Sequence, residues 1–252
     1  MNAIQRRIEL FNILQTDGSV EVSAMAARFN VSTMTIRRDL SSLERQHLIT
    51  TNYGGAYLNR GSSIEPSFSL KQGQMDEQKQ LIARAAANMI QDGDAVILDC
   101  GTTTIAVLKY IKKKNITIIT NSWPAIGYLQ GNPMVKLILA PGEYSDVSAG
   151  VISSTTIEFF MNLHADIAFV STQGFDPLFG ATVPDLTDAN VKQSLTNSAD
   201  RKVLLMDSSK VGIKCFARHA APRDFDVIIT DTSISDEQLQ LMRANCRQVI
   251  TA

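Results

Sequence analysis

The sequence has no long apolar run. In its 252 residues the longest uninterrupted apolar stretches hold four residues, as in Ala95–Leu98 and Val203–Met206, whereas a helix that crosses a membrane needs about 20. The N-terminal segment lacks the unbroken apolar stretch of a secretory signal, because Arg6, Arg7 and Glu9 interrupt it. We therefore expect neither a membrane protein nor a secreted one.

Cysteines are few, and the common nucleotide-binding motifs are missing. Cys100, Cys215 and Cys246 form no close pair and belong to no set of cysteines and histidines with zinc-ligand spacing, so neither a disulfide framework nor a zinc site is indicated. We expect reduced thiols in a cytoplasmic protein. The absence of GxxxxGK[ST] and GxGxxG disfavours nucleotide binding. The histidines are scattered, so we expect no catalytic residue, no metal site and no cofactor.

Apolar residues are plentiful enough for a core, since 44% of the chain is hydrophobic and 19% is charged. Residues 1–58 have the periodicity of a small separate domain. Its predicted elements are three helices and a hairpin, at 3–16, 22–29, 33–46 and 47–58. Ser32 is placed to cap the third helix, and Gly54-Gly55 marks the hairpin turn. This order predicts a winged helix-turn-helix.

The third predicted helix has one face suited to DNA. At about 100° per residue, Ile36, Leu40 and Leu43 face inward, and Thr, Ser, Met and Arg side chains face outward. Arg reads guanine, Ser and Thr contact phosphates, and Thr or Met contacts a thymine methyl group. An ordinary solvated face, with its arginines paired to acids, remains the alternative. The candidate DNA-binding residues here are Ser32, Thr33, Met34, Thr35, Arg37, Arg38, Ser41 and Arg45.

The pattern of apolar and polar residues changes at about residue 76. Short β-rich runs alternate with helical stretches over 76–252, which predicts a mostly parallel sheet with helices on both faces. The predicted strands are 95–98, 116–120, 135–139, 167–170, 203–206, 227–230 and 248–251. The predicted helices are 77–91, 103–113, 123–130, 153–162, 185–198 and 235–244. Residues 59–75, rich in Gly, Ser and Pro, are expected to be a linker.

Ligands of such sheets bind beyond the carboxyl ends of the strands. The loop Asp99–Thr104 is the sharpest candidate, because Gly101 permits close approach and Thr102, Thr103 and Thr104 supply hydroxyls at a helix start. This suits a phosphate monoester, although simple helix capping explains the same residues. Lys192 and Lys210 are the candidate cations. Asp99 and Asp207 are candidates to accept hydrogen bonds from sugar hydroxyls.

The N-terminal residues carry a family resemblance. Arg6, Leu10 and Leu14, then seventeen residues, then the run Ser32–Leu40, are similar to the helix-turn-helix signature of the DeoR family of bacterial transcription regulators. The run Tyr53-Gly54-Gly55-Ala56 resembles the wing of that family, which implies DNA contacts from Tyr53 and Gly54. The family wing usually has a basic residue before Gly-Gly. None stands here, so we expect a weak phosphate anchor from the wing.

Residues 76–252 resemble the DeoR-type sensor domain, whose sheet is related to ribose-5-phosphate isomerase. The resemblance implies a pocket for a phosphorylated sugar and adds Asn121, Gly174 and Asp188 to the candidate effector-binding residues. Two departures stand at Pro141, where the family often has Gly, and at Asp188, where it often has Glu. The isomerase has a glutamate base where this chain has Val191. A sensor is therefore favoured over an isomerase.

The overall expectation is an α/β chain: an N-terminal winged helix-turn-helix joined to a C-terminal, mostly parallel α/β sugar-phosphate sensor domain. It predicts a repressor of a sugar-metabolism operon, with double-stranded operator DNA and a phosphorylated sugar effector as partners. A homodimer or homotetramer is expected, because single winged modules bind small sites weakly. Retained isomerase-type activity, with Asp176 or Asp188 as the base, and activation instead of repression are the alternatives.

Overall fold

The computed structural model describes residues 1–59, 61–111 and 114–252. The chain divides into two compact units, Met1–Gln74 and Met75–Ala252. Among the described helices, none has both the length and the apolarity needed to cross a membrane. The helices are α1 (Ala3–Asp17), α2 (Val22–Phe29), α3 (Thr33–Glu44), α4 (Phe68–Gln72), α5 (Asp76–Ala87), α6 (Thr102–Ala106), α7 (Ala125–Leu129), α8 (Ser154–Met161), α9 (Leu186–Asn197) and α10 (Asp236–Asn245). The strands are β1 (Ser19–Glu21), β2 (Ile49–Thr51), β3 (Gly55–Leu58), β4 (Ala95–Leu98), β5 (Ile116–Thr120), β6 (Val135–Leu139), β7 (Tyr144–Ser145), β8 (Gly150–Val151), β9 (Ala165–Ser171), β10 (Gly174–Asp176), β11 (Gly180–Val183), β12 (Ala199–Leu205), β13 (Ala217–Ala220), β14 (Val227–Thr230) and β15 (Val249–Thr251).

The first unit is a winged helix-turn-helix. Gly18, at φ +77°, ends α1, and Asn30, at φ +52°, ends α2. The hydroxyl of Ser32 accepts the N–H of Thr35 at 3.2 Å and so caps α3, as the sequence predicts. The antiparallel sheet has the order β1-β3-β2. Its strand β1 was not predicted, because three residues are too few for a periodicity signal.

The expected linker 59–75 is partly folded, which corrects the prediction. It contains α4, and Leu70 of α4 is buried in the apolar core of the first unit. A single buried side chain among Gly, Ser and Pro leaves no helical pattern in the sequence, so α4 was missed. Arg60, within the same range, lies outside the described residues.

The second unit is built on a seven-stranded sheet with the order β15-β14-β12-β9-β4-β5-β6 in the described residues. All neighbouring strands are parallel. Both faces of the sheet are covered, which explains the continuous apolar runs of its strands. In β4, Val96 and Leu98 pack in the core that contains α5, α6 and α7, whereas Ile97 packs in the core that contains α8, α9 and α10.

Small antiparallel pieces surround this sheet, and the sequence did not predict them. They are β7 with β8, and the three-stranded sheet β10-β11-β13. The predicted helix 103–113 also differs: α6 ends at Ala106 and continues as a 3-10 turn over Val107–Lys109. Its predicted last two residues, 112 and 113, lie outside the described residues. Strands of two to four residues are too short to show alternation.

Candidate functional site

The outward face of α3 and the tip of the wing form one polar surface in the first unit. The sequence-predicted DNA contacts on it are exposed, apart from Thr35, which is half-buried. Met34 is 65% exposed although it is a large apolar side chain. The exposed residues are Ser32, Thr33, Met34, Arg37, Arg38, Ser41, Arg45, Tyr53 and Gly54.

The acidic residues of α3 are held away from this face. Asp39 is buried and pairs with the buried Arg6 of α1, with 2.5 Å between Oδ2 and Nε. Glu44 accepts hydrogen bonds from the hydroxyl and the N–H of Thr51, at 2.6 and 2.8 Å, and these bonds lower the pKa of Glu44. Neither carboxylate is therefore paired with the exposed arginines.

The arginines of the face are available for a partner. Within the part of the chain that the structure describes, Arg38 and Arg45 form no ion pair; the Nε of Arg45 only donates a 3.4 Å hydrogen bond to the carbonyl of Ser41. The alternative of a solvated face with paired arginines is thus not what the structure has. A surface of unpaired Arg with Ser, Thr and Met is suited to phosphates and base edges.

Arg37 links α3 to the wing. Its guanidinium donates a 3.0 Å hydrogen bond to the carbonyl of Tyr53 and lies 5.9 Å from the centre of the Tyr53 ring. The amide oxygen of Asn52 accepts the N–H groups of Gly54 and Gly55, at 3.0 and 2.7 Å, and so shapes the turn. Tyr53 itself is 94% exposed. The wing therefore presents an exposed aromatic side chain at its tip.

In the second unit, the end of β4 and the middle of α9 meet in a buried ion pair. The Nζ of Lys192 lies 2.6 Å from Oδ2 of Asp99 and 3.7 Å from Oδ1 of Asp188. All three residues are at most 3% exposed. Two carboxyl groups thus surround one ammonium group, and α9 supplies both the ammonium and the second carboxyl.

Both partners of this pair are charged at neutral pH. Burial alone would raise the pKa of Asp99, but the ammonium of Lys192 and the hydrogen bonds from Ser171 outweigh it, so that the pKa is lowered. Burial would likewise lower the pKa of Lys192, but the carboxylates of Asp188 and Asp99 outweigh burial and raise it. The pair is therefore stable as an ion pair across the physiological range.

The loop after β4 is held against the end of β9. Oδ2 of Asp99 accepts the N–H and the hydroxyl of Ser171, at 3.0 and 2.5 Å. A Cβ at Gly101 would lie 1.9 Å from the Ser171 hydroxyl oxygen, so only glycine fits at this position. The sequence predicts Gly101 as a ligand contact, because glycine permits a ligand to approach the backbone closely. The structure adds a second reason for glycine, which is its packing against Ser171.

Several predicted effector contacts are used by the protein itself. The Thr104 hydroxyl lies 2.7 Å from the carbonyls of both Asp99 and Gly101. A carboxylate oxygen of Asp207 accepts the N–H of Ser209 at 3.2 Å and its hydroxyl as well. In the structure both side chains shape their own loops, and their contact with a ligand stays a prediction.

Neither Gly174 nor Lys210 takes part in a described hydrogen bond or ion pair with Asp99, Asp188 or Lys192. Gly174 is in β10, and a Cβ there would lie 2.5 Å from the carbonyl oxygen of Ile213, so the glycine permits two backbone segments to approach. Lys210 is half-buried in the 3-10 turn after β12 and forms no ion pair with any described residue. Of the two candidate cations, Lys192 is therefore neutralised by carboxylates and Lys210 is not.

His219 of β13 is buried within the electrostatic influence of Lys192 and Asp99, and no sequence pattern points to it. Its Nε2 lies 3.3 Å from the Thr172 hydroxyl. Burial, helped by the positive charge of Lys192, lowers the pKa of His219 to about 3, so the ring is neutral. No sequence signal was available, because β13 was not predicted and His219 lies far along the chain from Asp99.

Several buried polar atoms have no hydrogen-bond partner among the described residues. They include Oδ1 of Asp99, Oδ1 of Asn121, Oγ of Ser122 and Oγ1 of Thr230 at or just after strand ends, and Nδ1 of His219 in β13. The Thr172 hydroxyl lies within 2.9 Å of two carbonyls, so it donates to a carbonyl and accepts from His219, which leaves Nδ1 as an acceptor. The atoms of Asp99, Asn121 and His219 are therefore acceptors, and only a group that donates a hydrogen bond can satisfy them.

Comparison with known proteins gives matches along nearly the whole chain. A DeoR-like helix-turn-helix domain matches residues 6–61, and a DeoR C-terminal sensor domain matches residues 74–232. The chain is 30% identical over 227 residues to the HTH-type transcriptional repressor GlcR of Bacillus subtilis, covering 90% of this chain and 88% of that protein. It is 30% identical over 236 residues to the lactose phosphotransferase system repressor of Staphylococcus epidermidis, covering 92% and 94%. Ribose 5-phosphate isomerase A of Methanocaldococcus jannaschii superposes with a TM-score of 0.40, at 15% identity over 54% of each chain.

Proposed function

Because the chain belongs to the DeoR family of transcription regulators, we propose that it represses a sugar-metabolism operon under the control of a phosphorylated sugar. The observation that carries the DNA-binding part is the exposed face of α3, with unpaired Arg38 and Arg45 and no acid among them. The names of the relatives, repressors of GlcR type and of the lactose phosphotransferase system, support repression of sugar genes.

On double-stranded operator DNA, we assign α3 to the major groove, as in other helix-turn-helix proteins. Arg38 then reaches a base edge or a phosphate, and Met34, on the first turn, reaches a thymine methyl group. Arg37 is held toward the wing by its bond to the Tyr53 carbonyl. The Arg6–Asp39 pair keeps α3 at a constant position on α1.

The wing gives a prediction of its own. In Tyr53→Arg, the slope of the logarithm of the association constant for DNA against the logarithm of the salt concentration becomes steeper by about 1, because one further phosphate is neutralised. The affinity of the full chain for an operator duplex, measured at several salt concentrations, tests this. Ile4→Arg is the control: it adds the same charge at a 55% exposed position of α1, outside the surface formed by the outward face of α3 and the wing tip. An equal change in both variants would mean that the wing tip does not approach a phosphate.

For the effector, we assign the phosphate group to the loop at Gly101, Thr102 and Thr103, with Lys210 as the candidate cation. Lys192 is a poor phosphate ligand, because Asp99 and Asp188 already surround its ammonium and would repel a dianion. We assign the hydroxyl groups of the sugar to the unpartnered acceptors of Asp99, Asn121 and His219 described above. In this arrangement Asp188 and Lys192 hold Asp99 in place.

A thermal-shift panel of matched sugars and sugar phosphates tests the effector. One phosphate ester raises the melting temperature and its unphosphorylated sugar does not; at 100 times Kd the stabilisation is about 2.7 kcal/mol. Thr103→Asp abolishes the shift, because it places a carboxylate in the phosphate loop. Thr155→Asp is the control, since Thr155 holds the same position at the start of α8. A shift of equal size in Thr103→Asp would contradict the assignment.

We infer that the second unit is a sensor and not an isomerase. Val191, which precedes Lys192, is apolar and fully buried and cannot accept a proton. Of the two candidate substitutes, Asp188 faces Lys192, and Asp176 pairs with Lys214 at 3.0 Å while it accepts the N–H of Phe179. Multiple-turnover isomerisation of a pentose phosphate would support the alternative, and we expect none.

A further inference from the structure

An exposed aromatic pair lies just beyond the carboxyl end of β5. Trp123, the only tryptophan of the chain, is 58% exposed, and Tyr144 of β7 is 51% exposed. Their ring centres are 6.1 Å apart and their planes meet at 65°, which is an edge-to-face contact. Such a contact covers at most one of the four ring faces. Aromatic faces are therefore open at a strand end, although tryptophan is highly buried on average.

The hairpin of β7 and β8 fixes the position of this pair. Its first strand carries Tyr144, and the N–H of Trp123 donates to the carbonyl of Ala149, directly before β8, at 3.1 Å. A Cβ at Gly150 would lie 2.7 Å from Sγ of Cys100, so the hairpin packs directly on the loop after β4. The aromatic pair is therefore attached to the two loops, after β4 and after β5, that contain candidate effector residues.

Two buried polar side chains directly precede Trp123. Asn121 and Ser122 are at most 1% exposed, and Oδ1 of Asn121 and Oγ of Ser122 have no hydrogen-bond partner among the described residues. Leu98 pairs with Thr120 in the sheet, so the loops after β4 and β5 begin side by side, about 4.8 Å apart as neighbouring strands are. One ligand can therefore contact the loop after β4, these polar atoms and the aromatic pair.

We propose that Trp123 and Tyr144 form a stacking platform that makes the effector site selective for a cyclic sugar phosphate over its open-chain form. This assignment rests on the proposed sugar-phosphate effector and adds the form of the sugar. A sugar ring has hydroxyl groups at its edge, which donate to Asn121, and C–H groups on its faces. The C–H groups carry positive partial charge and are attracted to the negative face of an aromatic ring. An open-chain sugar phosphate has similar hydroxyl groups but no fixed apolar face, so it makes the polar contacts without the stacking.

The emission of Trp123 tests the platform in the full chain, because no other tryptophan contributes to it. The ligands are glucose, galactose and mannose 6-phosphates and ribose 5-phosphate, each beside the alditol phosphate obtained by its reduction. At least one cyclic phosphate changes the emission and raises the melting temperature. Its Kd is at least about ten-fold below that of its alditol phosphate, which retains the phosphate and the hydroxyl groups but has no ring.

Variants assign the preference to the platform. Trp123→Ala weakens binding of the cyclic phosphate about ten-fold and leaves that of the alditol phosphate within about two-fold, as measured by isothermal titration calorimetry, whereas Trp123→Phe retains the preference for the ring. Tyr110→Ala is the control and changes neither Kd: Tyr110 is an exposed aromatic residue of the same unit, and its hydroxyl bonds to Gln80 of α5. Tyr144→Ala decides the question if Trp123→Ala lowers the melting temperature of the free chain.

Two results would overturn the stacking platform alone. One is an alditol phosphate that binds as tightly as its cyclic parent, and the other is a cyclic phosphate that raises the melting temperature without changing the emission of Trp123. In both cases a sugar phosphate still binds, and the proposed function stands. If no phosphate of either form binds, the platform and the proposed effector fail together, and the two failures are therefore distinguishable.

Discussion

Replacement of Lys192 by Met lowers the free energy of unfolding of the second unit by about 3–5 kcal/mol, because it leaves Asp99 and Asp188 buried without their cation. Chemical denaturation of the full chain, followed through the transition of this unit, measures the loss. Lys136→Met is the matched control: Lys136 is exposed on β6, and its replacement changes stability by no more than about 0.5 kcal/mol.

The pH dependence gives the same prediction a second readout. In the wild type the pKa of Asp99 lies below its ordinary value near 4. The contribution of Asp99 to the free energy of unfolding is therefore fully present at a pH above the pKa of the unfolded state. It is lost as the pH falls through the lower pKa of the folded state. Without Lys192, burial raises the pKa of Asp99 above the unfolded value. The difference in free energy of unfolding between the wild type and Lys192→Met therefore becomes smaller as the pH is lowered. A variant within about 1 kcal/mol of the wild type at neutral pH would contradict the ion pair.

The second large effect is on DNA binding. Arg38→Ala weakens the affinity for an operator duplex by about 1–3 kcal/mol, the worth of one bidentate base contact. Arg38 is exposed and has no ion-pair partner among the residues described, so the substitution removes a contact to DNA and not a contact that holds the fold. Fluorescence anisotropy with a duplex selected from random sequence measures the loss.

Arg28→Ala is the control for Arg38→Ala, because it removes the same charge from α2, where Arg28 forms an exposed pair with Glu9 at 3.6 Å. Its effect on affinity is small. The salt dependence identifies the partner of Arg38: a uniform loss with a slope reduced by about 1 indicates a phosphate, and relaxed specificity at one position indicates a base. Equal losses for both variants would refute a specific role for the α3 face.

The fold was predictable where the elements are long and periodic. The apolar spacing of α1, α2 and α3, the cap at Ser32 and the apolar runs of the sheet strands each leave a local signal, and the structure has each of them. The elements that were missed, namely β1, α4, the β7–β8 pair and the β10-β11-β13 sheet, are two to five residues long. Their stability comes from packing on the rest of the unit and not from their own sequence.

The site was predictable only in part. The sequence points to Asp99 and Gly101 as candidates because a strand, a polar loop and a helix start follow one another there. The ion pair was not predictable, because Asp99 and Lys192 are 93 residues apart and meet only if β9 lies beside β4 and α9 crosses their ends. The role of Ser171 depends on the same strand order. The position of His219 also depends on a short strand, β13, whose four residues show no alternation of apolar and polar side chains.

We propose that a phosphorylated sugar bound at the strand ends of the second unit changes the affinity of the first unit for its operator. The most direct measurement is the Kd of the selected duplex with and without each sugar phosphate and its unphosphorylated sugar, for the wild type and for Thr103→Asp. We expect that one phosphate ester changes the Kd of the wild type, that its parent sugar does not, and that Thr103→Asp loses the response. An equal response of Thr103→Asp and the wild type, or a change of the Kd by unphosphorylated sugars alone, would contradict a phosphate site in this loop.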